Sequence, residues 1–274
     1  MKIVLTIAGS DPTGGAGLQA DLQVIRHLGC HGMGVLSALT VQDTAKVHSV
    51  LPVFPSVVLD QLRCLVRDVS PDAVKIGMLA SDDVVRNVSL ALASIDPDVP
   101  VVVDPILFAS DGTSLLERRA WPALQGLFTR STLVTPNLPE AEALTGVDVS
   151  SKQGCEKAAR VFIEEFECRG VLVKGGHRQG APDDLLALRV GDVGSNPGET
   201  EISFRWLEGH RVELPNGPVH GTGCALSTAI ATELAKGSDL AVAVDRARGF
   251  VADALGNAYA VGSGALVLGY SSPA

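Results

Sequence analysis

The sequence lacks any pair of closely spaced cysteines. Cys30, Cys64, Cys155, Cys168 and Cys224 are odd in number, widely separated and free of a CxxC pattern. That excludes a disulfide framework and a cysteine-built zinc site, and it suits a reducing compartment. Basic residues are also in short supply: 22 Lys and Arg stand against 31 Asp and Glu, for a net charge of -9. Nucleic acid and anionic membranes are therefore not expected as partners, although backbone amides and one or two cations can still hold a phosphorylated ligand. No apolar run is long enough to span a membrane. The stretch after Asp253 is uncharged, but Gly256, Asn257, Gly262, Ser263, Gly264, Gly269 and Pro273 interrupt it. At the other end, only Ile3 to Ala8 separate Lys2 from the polar GSDPTGG, too little for an export signal, so a cytoplasmic location is expected. There is no repeat and no linker. A single domain over 1–274 is expected, with 46% hydrophobic residues to fill its core.

What is present is an alternation of short apolar runs and helical patterns. Strands are expected at 2–8, 33–41, 47–54, 73–76, 101–103, 133–135 and 170–174, with helices at 18–28, from Pro55, at 84–95, 138–144 and 153–166. Such alternation implies crossover connections, hence an α/β fold with a mostly parallel sheet covered on both faces. Residues 185–190, 202–207 and 211–214 break the rhythm as short strands around the turn-rich GDVGSNPGE, so a small antiparallel edge is expected. Ligands in parallel sheets sit beyond the carboxyl ends of the strands. Gly9-Ser10-Asp11, Gln42-Asp43, Gly77-Met78, Asp104-Pro105, Pro136-Asn137 and Lys174-Gly175-Gly176 each follow an apolar run and would share that edge.

The stretch HGTGCALSTAIATELAKG, from His220 to Gly237, reads as a glycine loop entering a helix. The amides of Gly221, Thr222 and Gly223 would be unpaired at its N-terminus and suited to an anion. Cys224 would lie in the first turn, where the same field favours a thiolate, unless it is an ordinary buried cysteine. Asn137 and Glu140, three apart at a helix start, form either a capping pair or outer support for a magnesium ion. Lys174 at a strand end suits a phosphate or is a plain surface lysine. Asp21 and Gln42 are polar groups on largely buried elements; they hydrogen-bond either a polar heterocycle or the backbone. Gly15 to Ala20 matches GxGxxA, but five residues intervene between Gly9 and the motif and no acidic partner follows, so a dinucleotide site is not expected; a GxxxxGK[ST] loop is absent too.

Taken together, AGSDPTGGAGLQAD at 8–21, TVQDT at 40–44, VKIGML at 74–79, VVDP at 102–105, TPNLPEAEALTG at 135–146, VLVKGGH at 171–177 and HGTGC at 220–224 resemble the bacterial hydroxymethylpyrimidine and hydroxymethylpyrimidine-phosphate kinases of thiamine biosynthesis, in the ribokinase-like superfamily. The resemblance covers nearly the whole chain. It implies a three-layer α/β/α fold, ATP with Mg2+, and phosphorylation of 4-amino-5-hydroxymethyl-2-methylpyrimidine and then of its monophosphate. It further implies that Gln42 binds the aminopyrimidine, with Gly9, Asp21 and Met78 lining the pocket. Asp104, Asn137 and Glu140 would serve the nucleotide phosphates, with Glu140 and Asn137 supporting Mg2+ through water. Lys174 would contact phosphate, Gly221, Thr222 and Gly223 would form the anion hole, and Cys224 would be the base. A homodimer is expected. The resembled family has a lysine soon after its DP motif, whereas Ile106 to Gly112 contain none, so the second phosphorylation would lack that cation. A pyridoxal kinase of the same superfamily and a non-catalytic pyrimidine sensor are the alternative readings.

Overall fold

A computed structural model describes residues 1–176, 181–190, 201–212 and 217–270. In chain order the elements are β1 Ile3–Ser10, α1 Gly17–His27, β2 His31–Gln42, β3 Val47–Pro52, α2 Pro55–Asp68, β4 Ala73–Ile76, α3 Asp82–Leu92, β5 Val101–Val103, a 3-10 turn Arg118–Ala120, α4 Trp121–Phe128, β6 Leu133–Val134 and α5 Leu138–Thr145. There follow α6 Lys152–Glu164, β7 Gly170–Val173, β8 Asp184–Arg189, β9 Ile202–Leu207, β10 Val219–His220, α7 Thr222–Ala235, α8 Leu240–Gly256 and β11 Leu266–Val267. They fall into two compact units, one formed by Met1–Ala123 with Val212–Ala274, the other by Leu124–Arg211.

In the first unit the strand order is β3-β2-β1-β4-β5. All neighbours are parallel except β3, which folds back antiparallel on β2. Val4 to Ile7 of β1 and all of β4 are fully buried, so both faces of the sheet are covered. Side chains alternate between those faces. Thr6 and Lys75, paired in register, face α1, where both meet Asp21. Gly32 and Gly34 of β2 let Leu18, Leu22 and Ile25 of α1 approach closely: an added Cβ would lie 2.6–2.8 Å from a leucine methyl. α7 packs on α1 and against β1, β4 and β5, with α8 against α7. α2 and α3 pair with each other, α2 lying on β2. β10 and β11 form a separate parallel pair.

In the second unit the order is β6-β7-β8-β9. β6 and β7 are parallel, while β8 and β9 supply the antiparallel edge expected where short strands break the strand–helix rhythm. α6 covers β7 and β8. Phe128, Phe162 and Phe166 cluster with ring centroids 5.4–6.1 Å apart. Arg211 and Val212 belong to no strand, and the rest of that expected strand, like the turn-rich stretch 191–199 and His177, lies outside the described residues. α4, the length of α8 and the short β10 were not expected. Pro122 and Gly126 inside an eight-residue helix explain why α4 leaves so weak a pattern. Among the described residues no helix is long and apolar enough to cross a membrane.

Candidate functional site

The first unit gathers most of the candidate residues at the strand ends around the start of α7. Gly221 caps that helix with φ +84 and offers no side-chain acceptor. The backbone turn there requires glycine twice over: the left-handed φ disfavours any side chain, and a Cβ would fall 1.8 Å from the Gly15 carbonyl oxygen. Ala225 N donates to Gly221 O at 2.9 Å, the first bond of the helix. The amides of Thr222 to Cys224 therefore form an uncapped helix N-terminus of the kind that binds anions. Gly17, at φ +62, begins α1 against the Gly9 carbonyl in the same manner.

Asp11 ties the intervening loop together. Its carboxylate accepts from the backbone N–H groups of Thr13 and Ala16, both at 2.9 Å, and lies 3.2 Å from His220 Nε2. Burial works against ionisation, but the His220 contact and the Thr13 hydrogen bonds outweigh it and hold the carboxyl below its usual range. Gln42 Nε2 also sits 3.2 Å from His220 Nε2, and Gln42 Oε1 accepts from the Thr40 hydroxyl at 3.3 Å. Gly9 and Met78 lie against each other: a Cβ on Gly9 would be 3.0 Å from Met78 Sδ. Met78 O accepts from the Ser37 hydroxyl at 2.5 Å, which fixes the Gly77-Met78 turn.

Asp21 has no exposed surface. Its Oδ2 accepts from Thr6 at 2.6 Å and Lys75 at 2.8 Å, its Oδ1 from Thr228 at 2.7 Å. It thus supports the floor beneath α7 and does not line a pocket. Asp104 is buried after β5, its Oδ2 reached by the Ser227 hydroxyl at 3.4 Å. Burial penalises the Lys75 ammonium, yet Asp21, then Cys224 and Asp104, hold its pKa above that of an ordinary lysine.

Cys224 departs from the expectation of a thiolate. The residue keeps some exposure, but loss of hydration around the sulfur pushes the thiol up to about 11, against the opposing pull of Lys75 and the Gly17 N–H. Dehydration of the charged form outweighs the helix end.

The second unit holds Asn137, Glu140 and Lys174. Asn137 Oδ1 accepts from Glu140 N at 2.9 Å and Glu140 Oε2 accepts from Asn137 N at 2.8 Å, a complete capping box at the start of α5. Lys174 N donates to Pro136 O at 2.8 Å, bridging β7's end to Asn137. Gly175 has no room for a Cβ, which would meet the Asp183 carbonyl oxygen at 1.9 Å. No group of three or more metal-ligating side chains stands together among the described residues.

Sequence reasoning missed Lys75, Thr228 and the link from Gln42 through His220 to Asp11. The one visible signal was a lysine inside the fully buried run Ala73–Ile76.

Comparison with known proteins bears on the whole chain. Residues 11–268 match the family described as phosphomethylpyrimidine kinase. A hydroxymethylpyrimidine/phosphomethylpyrimidine kinase of Streptomyces coelicolor is 40% identical over 266 residues, covering 96% of this chain and 91% of the relative. The crystal structure of phosphomethylpyrimidine kinase from Clostridium difficile 630 superposes with a TM-score of 0.78 at 31% identity, over 93% of this chain and all of that one. Pyridoxal kinase from Staphylococcus aureus, solved in complex with ADP, gives a TM-score of 0.84 at 29% identity, over 99% of this chain and 94% of that one. With the family match spanning nearly its full length, this chain belongs to the phosphomethylpyrimidine kinase family and is a phosphotransferase.

Proposed function

We propose that the protein transfers the γ-phosphoryl group of ATP to the hydroxymethyl oxygen of 4-amino-5-hydroxymethyl-2-methylpyrimidine, and then phosphorylates the monophosphate, in thiamine biosynthesis. The observation that carries this reading is the uncapped N-terminus of α7, set in the same unit as Gln42, Gly9 and Met78. Gln42, placed by Thr40 and His220, hydrogen-bonds the aminopyrimidine, while Gly9 and Met78 supply a flat apolar wall. The amides of Thr222, Gly223 and Cys224 take the charge developing on the transferred phosphoryl oxygens, the largest contribution in a loose, positioning-dominated transfer. Asn137, Glu140 and Lys174 serve the nucleotide phosphates. Mg2+, when bound, would neutralise phosphate charge, and Glu140 and Asn137 are the residues that would support it.

A thiol that keeps its proton at neutral pH is not a standing base. Cys224 instead relays: as the oxygen–phosphorus bond forms and the bond to ADP breaks, the sulfur takes the hydroxymethyl proton and passes its own to a phosphoryl oxygen. Ile106 to Gly112 bring no cation to the acceptor, and Asp111 there is engaged with Val47 N at 3.1 Å.

The test is ATP consumption with Mg2+ on the hydroxymethylpyrimidine, its monophosphate and pyridoxal in parallel, with products identified by mass. Turnover of both pyrimidines is expected. Turnover of the free alcohol alone would remove the second step, and a preference for pyridoxal would overturn the substrate assignment.

A further inference from the structure

Lys75 is fully buried in the middle of β4. An ammonium can donate three hydrogen bonds. Among the described residues it makes one, at 2.8 Å to Asp21 Oδ2. Stability alone does not account for such a pair, because dehydrating two charges offsets most of their attraction and apolar substitutes serve as well. Its surroundings indicate another use. Cys224, Ser227 and Thr228 stand at i, i+3 and i+4, on one side of α7. Thr228 bonds the other oxygen of Asp21, and Ser227 reaches Asp104. The side of α7 that begins with Cys224 therefore faces the Asp21–Lys75 pair. Gly77 completes the arrangement: a Cβ there would lie 2.8 Å from Lys75 Nζ, so the turn after β4 must be thin where the ammonium ends.

We propose that Lys75 is a positioning residue for the transfer step: held on Asp21, its ammonium is the fixed positive charge against which the Cys224 sulfur bears negative charge while the substrate proton passes through it. This rests on the relay assigned to Cys224 above and leaves its balance unchanged, since Lys75 neither gains nor loses a proton. Among the described residues, the charged and titratable groups that act on the sulfur are Lys75 from β4, Asp21 from α1, Asp104 after β5 and Tyr270 from the C-terminal segment. Lys75 is the cation among them. Its pull on the thiol opposes burial and the two carboxylates.

The experiment is the rate of iodoacetamide alkylation of Cys224 against pH, located by peptide mass, in a Cys64→Ser background because Cys64 is the exposed cysteine. Thiolate is the reactive form. The parent rate should climb about tenfold per pH unit through pH 10 with no plateau. Lys75→Met should lower the rate at fixed pH at least tenfold, Lys75→Arg should leave it near the parent, and Asp21→Asn, which frees the ammonium of its carboxylate, should raise it severalfold. Opposite signs for the two partners are the signature, since a merely structural role would move both the same way. Equal or same-signed shifts overturn the proposal. Should Lys75→Met fail to fold, Asp21→Asn against the charge-free Asp21→Asn/Lys75→Met pair gives the same reading, the double variant being the slower. Alkylation needs no substrate, so the expected shifts in a protein inactive on pyrimidines would keep the coupling and remove the reaction.

Discussion

The floor beneath α7 and the start of α5 both hold buried charged side chains in hydrogen bonds, and they do so by different physics. At α5, Asn137 and Glu140 satisfy each other's backbone within one turn. The contact is local, and helix capping explains it without a ligand. Beneath α7, Asp21 joins Thr6, Lys75 and Thr228, residues drawn from four elements spread over the chain. No local motif explains that cluster, and dehydration makes it costly to hold. Long-range polar assemblies are thus the stronger pointer to chemistry, while local ones owe part of their pattern to folding.

Three variants sharpen the contrast. Lys75→Met should have the largest effect, leaving a buried carboxylate without its cation at a cost of about 3–5 kcal/mol, and Asp21→Asn in the same chain should recover most of it. Urea unfolding measures both; a double variant no better than the single would mean the two charges are not coupled. Cys224→Ala should lower turnover about a hundredfold, as loss of a proton-transfer group does, with the pyrimidine KM little changed. Undiminished turnover would end the relay assignment. Asn137→Ala should be mildest in stability, about 1 kcal/mol from the lost cap. Asn137→Ser, which can cap, should restore the melting temperature but not the KM for ATP; recovery of both would reduce Asn137 to a cap.

How far the sequence could be read follows from the same division. β4 and β5 stand where short apolar runs ended in Gly77 and Asp104-Pro105 predict them, and β8 and β9 form the antiparallel edge. Such features depend on neighbours in the chain. The antiparallel return of β3 on β2 was not foreseen, because a strand run does not carry the direction of its partner. Lys75 passed unnoticed since its partner Asp21 lies on α1, on the far side of β2, β3 and α2 in sequence. The thiolate expectation for Cys224 failed on burial, which position in a helix does not reveal. His220 was visible in its motif, but only folding brings it to Gln42 and Asp11.

The contact between Gly221 and the Gly15 carbonyl joins positions roughly two hundred residues apart, the kind of pairing that raises contact order and slows folding. During synthesis the second unit, an unbroken segment, leaves the ribosome before the first unit has its closing piece. A nascent chain that stops short of Gly221 therefore has its GSDPTGGAG loop but not the start of α7 that packs against it, and that contact forms only once about four-fifths of the polypeptide has been made.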